Sequence, residues 1–212
     1  MGSTAPLKHI LQMNIQHTPS FRRISLTLLA LLFVVMGASA QKVAVKTNLI
    51  YDAALTPNLG LELGLSKHST LEADYGLNLW KNSYKHRQWK HWQTQLEYRW
   101  WPCSKFNGHF LGIHAQGGEF NMTARESTRG LLHHLAKDVN KRYEGWNVGG
   151  GISYGYQWIL SRHWNLEASL GVGYQWIRYK KYPCAQCGTM EEKYHANYIG
   201  IDKAALSIMY VF

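Results

Sequence analysis

The side chains best suited to chemistry are two cysteines in the motif C-A-Q-C, Cys184 and Cys187. Thiols this close in sequence can form a local disulfide in an oxidising compartment or contribute to a metal site. A structural zinc site needs four ligands, and His195 is the nearby candidate for a third. No thioredoxin-like βαβ pattern surrounds the pair, which argues against a redox enzyme. We therefore expect a Cys184–Cys187 disulfide, with Cys103 unpaired or free for a periplasmic partner.

Serines and histidines do not form a pattern that defines a catalytic site. Ser127, His133 and His134 occur close together, but no spacing fixes a Ser-His-acid triad. The two adjacent histidines are expected to be solvated. The sequence therefore predicts no catalytic residues, no cofactor and no metal ion.

Charged residues instead recur at alternate positions of apolar segments. In residues 59–80, LGLELGLSKHSTLEADYGLNLW, leucines and other large apolar residues alternate with glycine, glutamate, aspartate and asparagine on both sides of a short turn. Side chains alternate across a β-strand, so each of these two strands has one apolar face and one polar face. The segment is therefore predicted to be a β-hairpin.

The same alternation continues along the chain after residue 41. It predicts eight strands, at 42–53, two within 59–80, 89–101, about 109–120, 145–160, 165–176 and 203–212. Short turns at 66–69, 102–107 and 160–163 alternate with outer segments at about 54–58, 81–88, 122–144 and 179–197. This alternation of turn lengths is typical of bacterial outer-membrane barrels. The predicted fold is all-β, an eight-stranded antiparallel up-and-down transmembrane β-barrel.

The polar faces would point into such a barrel. An eight-stranded barrel is filled by its own side chains, and buried charges need partners. We therefore expect an interior network of ion pairs and hydrogen bonds. Its predicted members are Lys46, Glu62, Glu72, Asp74, Glu97, Arg99, His114, Glu167 and Lys203.

Tryptophan positions support the membrane interpretation. All nine fall near predicted strand ends, and amphipathic rings favour membrane interfaces. Two girdles are expected. The outer one would contain Trp80, Trp89, Trp92, Trp146 and Trp176, and the inner one Trp100, Trp101, Trp158 and Trp164.

Residues 1–40 have the pattern of a secretion signal that is cleaved. Arg22 and Arg23 precede an apolar run at 24–36, and Ala38-Ser39-Ala40 is a small-residue cleavage site. Residues 1–12 could lie upstream of the true start, and 41–212 would form the barrel domain. The first 40 residues carry three cations and no acid, so the net charge falls from +10 to +7 in the mature chain.

Two outer segments suggest contacts at the cell surface. Leu131, Leu132, Leu135 and Val139 have helical spacing and predict a short amphipathic helix, which could contact a partner, lie on lipopolysaccharide or cover the barrel mouth. Cations cluster in or beside the second and fourth outer segments, where they could pair with lipopolysaccharide phosphates. These cations are Lys81, Lys85, Arg87, Lys90, Arg178, Lys180, Lys181 and Lys193. No nucleic-acid-binding motif accompanies them.

Four segments of the sequence suggest a family. They are KTNLIYDAALTPNLGLELGL, NGHFLGIHAQGGEFN, YEGWNVGGGISYGYQWIL and NYIGIDKAALSIMYVF. Together they resemble the Bacteroidales outer-membrane proteins of domain-of-unknown-function family 3575. The resemblance covers the mature chain and implies an outer-membrane barrel, often encoded near fimbria-type surface proteins. It brings no activity or catalytic residues.

The sequence favours a non-catalytic barrel with a structural or interaction role at the cell surface, accessory to fimbrial or envelope assembly. Its expected surroundings are outer-membrane lipid and lipopolysaccharide, with a fimbrial or envelope protein as partner. The first alternative is a narrow pore for ions or small solutes. The second is an outer-leaflet enzyme that modifies lipid A.

Overall fold

A computed structural model describes residues 42–82, 87–123, 141–183 and 192–212. They form eight strands and one short helix, α1 (Leu49–Ala53). The strands are β1 (Val43–Asn48), β2 (Asn58–Gly64), β3 (Ser69–Asn82), β4 (Arg87–Trp100), β5 (Gly108–Thr123), β6 (Arg142–Ile159), β7 (Trp164–Tyr182) and β8 (Glu192–Val211). The signal peptide predicted at 1–40 lies outside the described residues.

The strands form one antiparallel sheet that closes on itself. Each strand pairs with its neighbours in sequence, and β1 also pairs with β8 over Ala44–Val211 to Asn48–Ser207, which makes a closed barrel. The all-β class, the eight strands and their up-and-down order were therefore predicted from period-2 alternation. Within the described residues, no helix is long and apolar enough to cross a membrane.

The two faces of the sheet have opposite character. Glu62, Glu97 and Arg99 are 0% exposed on the inner face, whereas Ile113 and Ile152 are 67% and 62% exposed on the outer face. Period-2 alternation carries this division around the sheet, because successive side chains of a strand point to opposite faces. The charged residues are thus inside and most large aliphatic residues outside.

The first strand is shorter than predicted. The alternation of apolar residues suggested a strand over 42–53, but the chain turns into α1 after Asn48. The Asn48 side chain accepts a hydrogen bond from the Ile50 backbone N–H, 3.1 Å away, and so caps α1. Leu49 and Tyr51 therefore do not belong to a strand face, and this part of the prediction was wrong.

Other strands are longer than predicted, so the outer connections are shorter. β7 continues to Tyr182 and β8 begins at Glu192, whereas we expected a connection over 179–197. Tyr179 and Tyr194 lie opposite each other and stack at 5.4 Å between ring centroids. Cross-strand aromatic pairs of this kind stabilise sheets, and they extend the β7–β8 ladder into a segment that looked polar enough for a loop.

Because β1 and β2 are short, two strand edges extend beyond them. Pairing of β8 with β1 ends at Ser207, and pairing of β3 with β2 ends at Gly76. Asn48 partly covers the β8 edge, since its side chain donates to the Ala204 carbonyl and accepts from the Leu206 N–H. Farther along that edge, in the described part of the chain, β8 has no second strand beside it.

Candidate functional site

The centre of the closed sheet is an ion-pair network around Arg99. Its guanidinium donates two parallel hydrogen bonds to Glu167, at 2.8 and 3.0 Å. The same group contacts Glu62 at 2.8 Å and Glu97 at 3.0 Å, and it also pairs with Glu72. A guanidinium has five N–H donors in a fixed plane, which suits this arrangement of several carboxylates.

Two lysines complete the cationic part of the network. The Lys46 ammonium lies 2.6 Å from Glu72, 3.3 Å from Glu167 and 3.5 Å from Glu62. Lys203 pairs with Glu97 and lies 3.7 Å from Glu72. Six strands supply these residues, so the network ties together β1, β2, β3, β4, β7 and β8.

Neutral side chains satisfy further carboxylate oxygens. The Thr70 hydroxyl donates to Glu62 at 2.6 Å, and the Ser153 hydroxyl donates to Glu97 at 2.8 Å. Gln95 donates to the other oxygen of Glu97 at 2.9 Å. Such bonds are needed here because buried charge is costly unless its lone pairs are occupied.

Asp74 lies next to the network, beside Glu72. Both residues line a cavity of about 40 Å³ that reaches Tyr51 and Lys203. This space is sufficient for a water molecule but not for a larger ligand.

Glycines on the facing strands leave room for the long charged side chains. A Cβ atom on Gly112 would collide with the Glu97 carboxylate and the Ser153 hydroxyl. A Cβ atom on Gly60 would collide with the Asp74 carboxylate and the stem of Lys46. The inward glycines of the alternating pattern are therefore part of the packing of the network.

His114 lies in a second, adjacent cluster, although we predicted it within the main network. Its Nε2 atom is 2.9 Å from Asp202, which also accepts hydrogen bonds from Gln116 and Gln175 at 3.2 Å. Sequence reasoning missed Asp202 because it is adjacent to the inward residue Lys203. A register shift beside Gly171 and Val172 allows consecutive β8 residues to point inward, which strict alternation forbids.

Aromatic side chains close the end of the barrel near the β4–β5 turn. Trp101 is fully buried, contacts Phe110 at 4.8 Å and Phe106 at 6.2 Å between ring centroids, and donates to the Thr70 hydroxyl at 3.0 Å. Its assignment to the inner tryptophan girdle was wrong. Trp101 follows the inward Arg99 by two residues, so the alternation itself indicated that its ring points inside.

The network also contains a set of three carboxylates at metal-binding distances. Oxygen atoms of Glu62, Glu72 and Glu167 lie within 4.8 Å of one another. Lys46 and Arg99 contact all three of these residues, so the protein's own cations already neutralise the set. The donor set therefore fits internal ion pairing and does not fit a metal site.

The other predicted site residues do not belong to the buried network or lie outside the described residues. Cys184 and Cys187, and the helical set Leu131, Leu132, Leu135 and Val139, lie outside the described residues. Cys103 is exposed and is not in a disulfide. His195 is exposed on β8.

A comparison with protein families gives a match that covers residues 26–212. The family is described as a protein of unknown function, DUF3575. The chain belongs to this family. No curated protein matches the chain. The family assignment agrees with the resemblance seen in the sequence, and it names no activity for the buried network.

Proposed function

We propose that this DUF3575 protein is a non-catalytic outer-membrane β-barrel with a structural or interaction role at the cell surface. One observation carries the proposal: the closed sheet has its charges inside and its large aliphatic residues outside. Soluble proteins rarely expose a contiguous apolar surface of this kind. Lipid would cover it, and where the strands pair around the ring the sheet satisfies its own backbone groups in the absence of water.

Exposed aromatic side chains at both ends of the sheet support the membrane orientation. Trp100, Trp158 and Trp164 are exposed near the inner turns, and Trp146 is exposed toward the opposite end. Rings with a polar N–H favour the boundary between hydrocarbon and water. The apolar belt would lie between these two levels.

The packed ion-pair network favours a structural role over a pore. Its charged groups contact one another directly, and the cavity beside Glu72 and Asp74 is about 40 Å³. A larger cavity, of about 890 Å³, is lined by residues beyond the network that include His91, Phe120 and Tyr179. Conduction would require these ion pairs to separate, which is costly for buried charges. A pore would be recognised by single-channel conductance in planar bilayers, and a lipid A-modifying enzyme by altered lipid A in a deletion strain.

Secretion by the signal peptide, a Bacteroidales source and the association with fimbrial or envelope proteins stay predictions. The predicted amphipathic segment around Leu135 is the proposed contact.

Site-specific crosslinking in intact cells tests the interaction role. A photoreactive amino acid would replace Leu135, and the matched control would carry it at Ser161, in the turn at the opposite end. We expect a crosslinked envelope protein from Leu135 and none from Ser161. Heat-modifiable gel mobility would first establish that both variants are folded barrels; absence of any Leu135 adduct in such cells would contradict the interaction role.

A further inference from the structure

The outer face of the β7–β8 pair changes character stepwise along its length. Successive cross-strand pairs on this face are Val172–Ile201, Tyr174–Ile199, Trp176–Asn197, Arg178–His195 and Lys180–Lys193. All of these residues are exposed except Trp176, which is half-buried. The face therefore passes from apolar, through aromatic and amide, to cationic.

The cationic end brings two ammonium groups together. Lys180 lies directly opposite Lys193, and Arg178 lies two residues away on the same face, opposite His195. Like charges at opposite positions of a sheet destabilise it, because their Cβ atoms are only about 5 Å apart. An anion bound between them would remove this repulsion.

The carboxylates near these cations do not neutralise them. Glu144 lies opposite Lys180 on the β6 side, but its ion pair in the described residues is with Arg142, at 3.9 Å. The Arg178 guanidinium stacks on the Trp176 ring at 4.4 Å from its centroid. Within the described part of the chain, Lys180 and Lys193 have no carboxylate within ion-pair distance.

The dimensions of this face match one leaflet of a membrane. From Ile201 to Lys193 the strand advances eight residues, or about 26 Å at 3.3 Å per residue. A strand tilt of about 40° converts this length to a depth of about 20 Å. Half of a bilayer, including its headgroup region, is also about 20 Å thick.

We propose that this face binds a phosphorylated lipid of the outer leaflet, of the lipid A type. The phosphates would lie between Arg178, Lys180 and Lys193, with His195 beside them. The acyl chains would cover Tyr174, Val172, Ile199 and Ile201. This inference rests on the proposed membrane location and adds a specific lipid site to it.

Lipid binding by a charge-depleted variant tests the site. The variant is R178Q/K180Q/K193Q, and the matched control, K42Q/K67Q/R162Q, removes three exposed cations from the opposite end of the barrel. Each protein would be inserted into phosphatidylcholine nanodiscs and titrated with bisphosphorylated lipid A, and binding would be measured by native mass spectrometry. We expect about a tenfold loss of affinity in the first variant, as three exposed ion pairs would give, and no loss in the control.

Three further measurements separate the explanations. Dephosphorylated lipid A should bind the wild type as weakly as bisphosphorylated lipid A binds the triple variant. Displacement of lipid A by millimolar inorganic phosphate would overturn the lipid assignment in favour of a free anion. Unchanged affinity of an inserted triple variant would overturn the site alone, whereas failure of the wild type to insert into a bilayer would overturn the membrane location as well.

Discussion

At the scale of single residues, the interior depends on one guanidinium. Arg99 contacts four glutamates, and no other cation of the described network contacts so many. Replacing a buried ion-pair network with apolar groups can be neutral, but removal of one partner leaves charges uncompensated. The stability of the barrel should therefore be more sensitive to Arg99 than to exposed arginines.

The substitution Arg99→Met tests this dependence. It should lower the free energy of unfolding by about 3 to 5 kcal/mol, because buried carboxylates lose their shared partner. The control Arg162→Met removes an exposed arginine in the β6–β7 turn and should cost less than about 0.5 kcal/mol. Urea titration in detergent micelles, followed by tryptophan fluorescence, gives both values. Equal stability of the two variants would contradict the central role of Arg99.

Individual residues also show where sequence reasoning reaches its limit. Lys46, Glu62 and Glu167 could be assigned to one interior because period-2 alternation is a local property of each strand. Asp202 could not, because a register shift is set by pairing with another strand. The specific partners inside the network could not be predicted either, since they depend on strand order and register around the whole sheet.

At the scale of elements, the least regular part is the junction of β1 and α1. The Asn48 side chain caps α1 through the Ile50 N–H and also bonds the Leu206 N–H and Ala204 carbonyl on β8. A single amide therefore ends one strand, begins a helix and covers part of an open strand edge. Sequence alternation continued through this junction, so periodicity alone predicted a longer strand.

Two substitutions at Asn48 separate its roles. Asn48→Ala removes both acceptor bonds and the donor bond, and it should cost about 1 to 2 kcal/mol of unfolding free energy. Asn48→Asp keeps the acceptor oxygens and should cost less. The same urea titration measures both variants. If Asn48→Asp were as unstable as Asn48→Ala, the capping role would be wrong.

At the scale of the whole molecule, the number of strands, their order and the division of each strand into a polar and an apolar face followed from the sequence. Strand ends did not, because β7 and β8 continue through lysines and tyrosines that are equally common in loops. The exposed apolar face is the feature on which both proposals depend. A soluble barrel would bury that face. The environment of the outer face therefore distinguishes a membrane barrel from a soluble one.

The most direct test of the central claim places a charge on that face. Leu170 is exposed near the middle of β7, and Leu160 is exposed in the turn before it, so Leu170→Arg and Leu160→Arg make the same chemical change at two depths. Equilibrium folding into phosphatidylcholine vesicles should show a cost of about 2 to 4 kcal/mol for Leu170→Arg and about 0 to 1 kcal/mol for Leu160→Arg. Equal folding free energies for the two variants would contradict the assignment of the outer face to lipid.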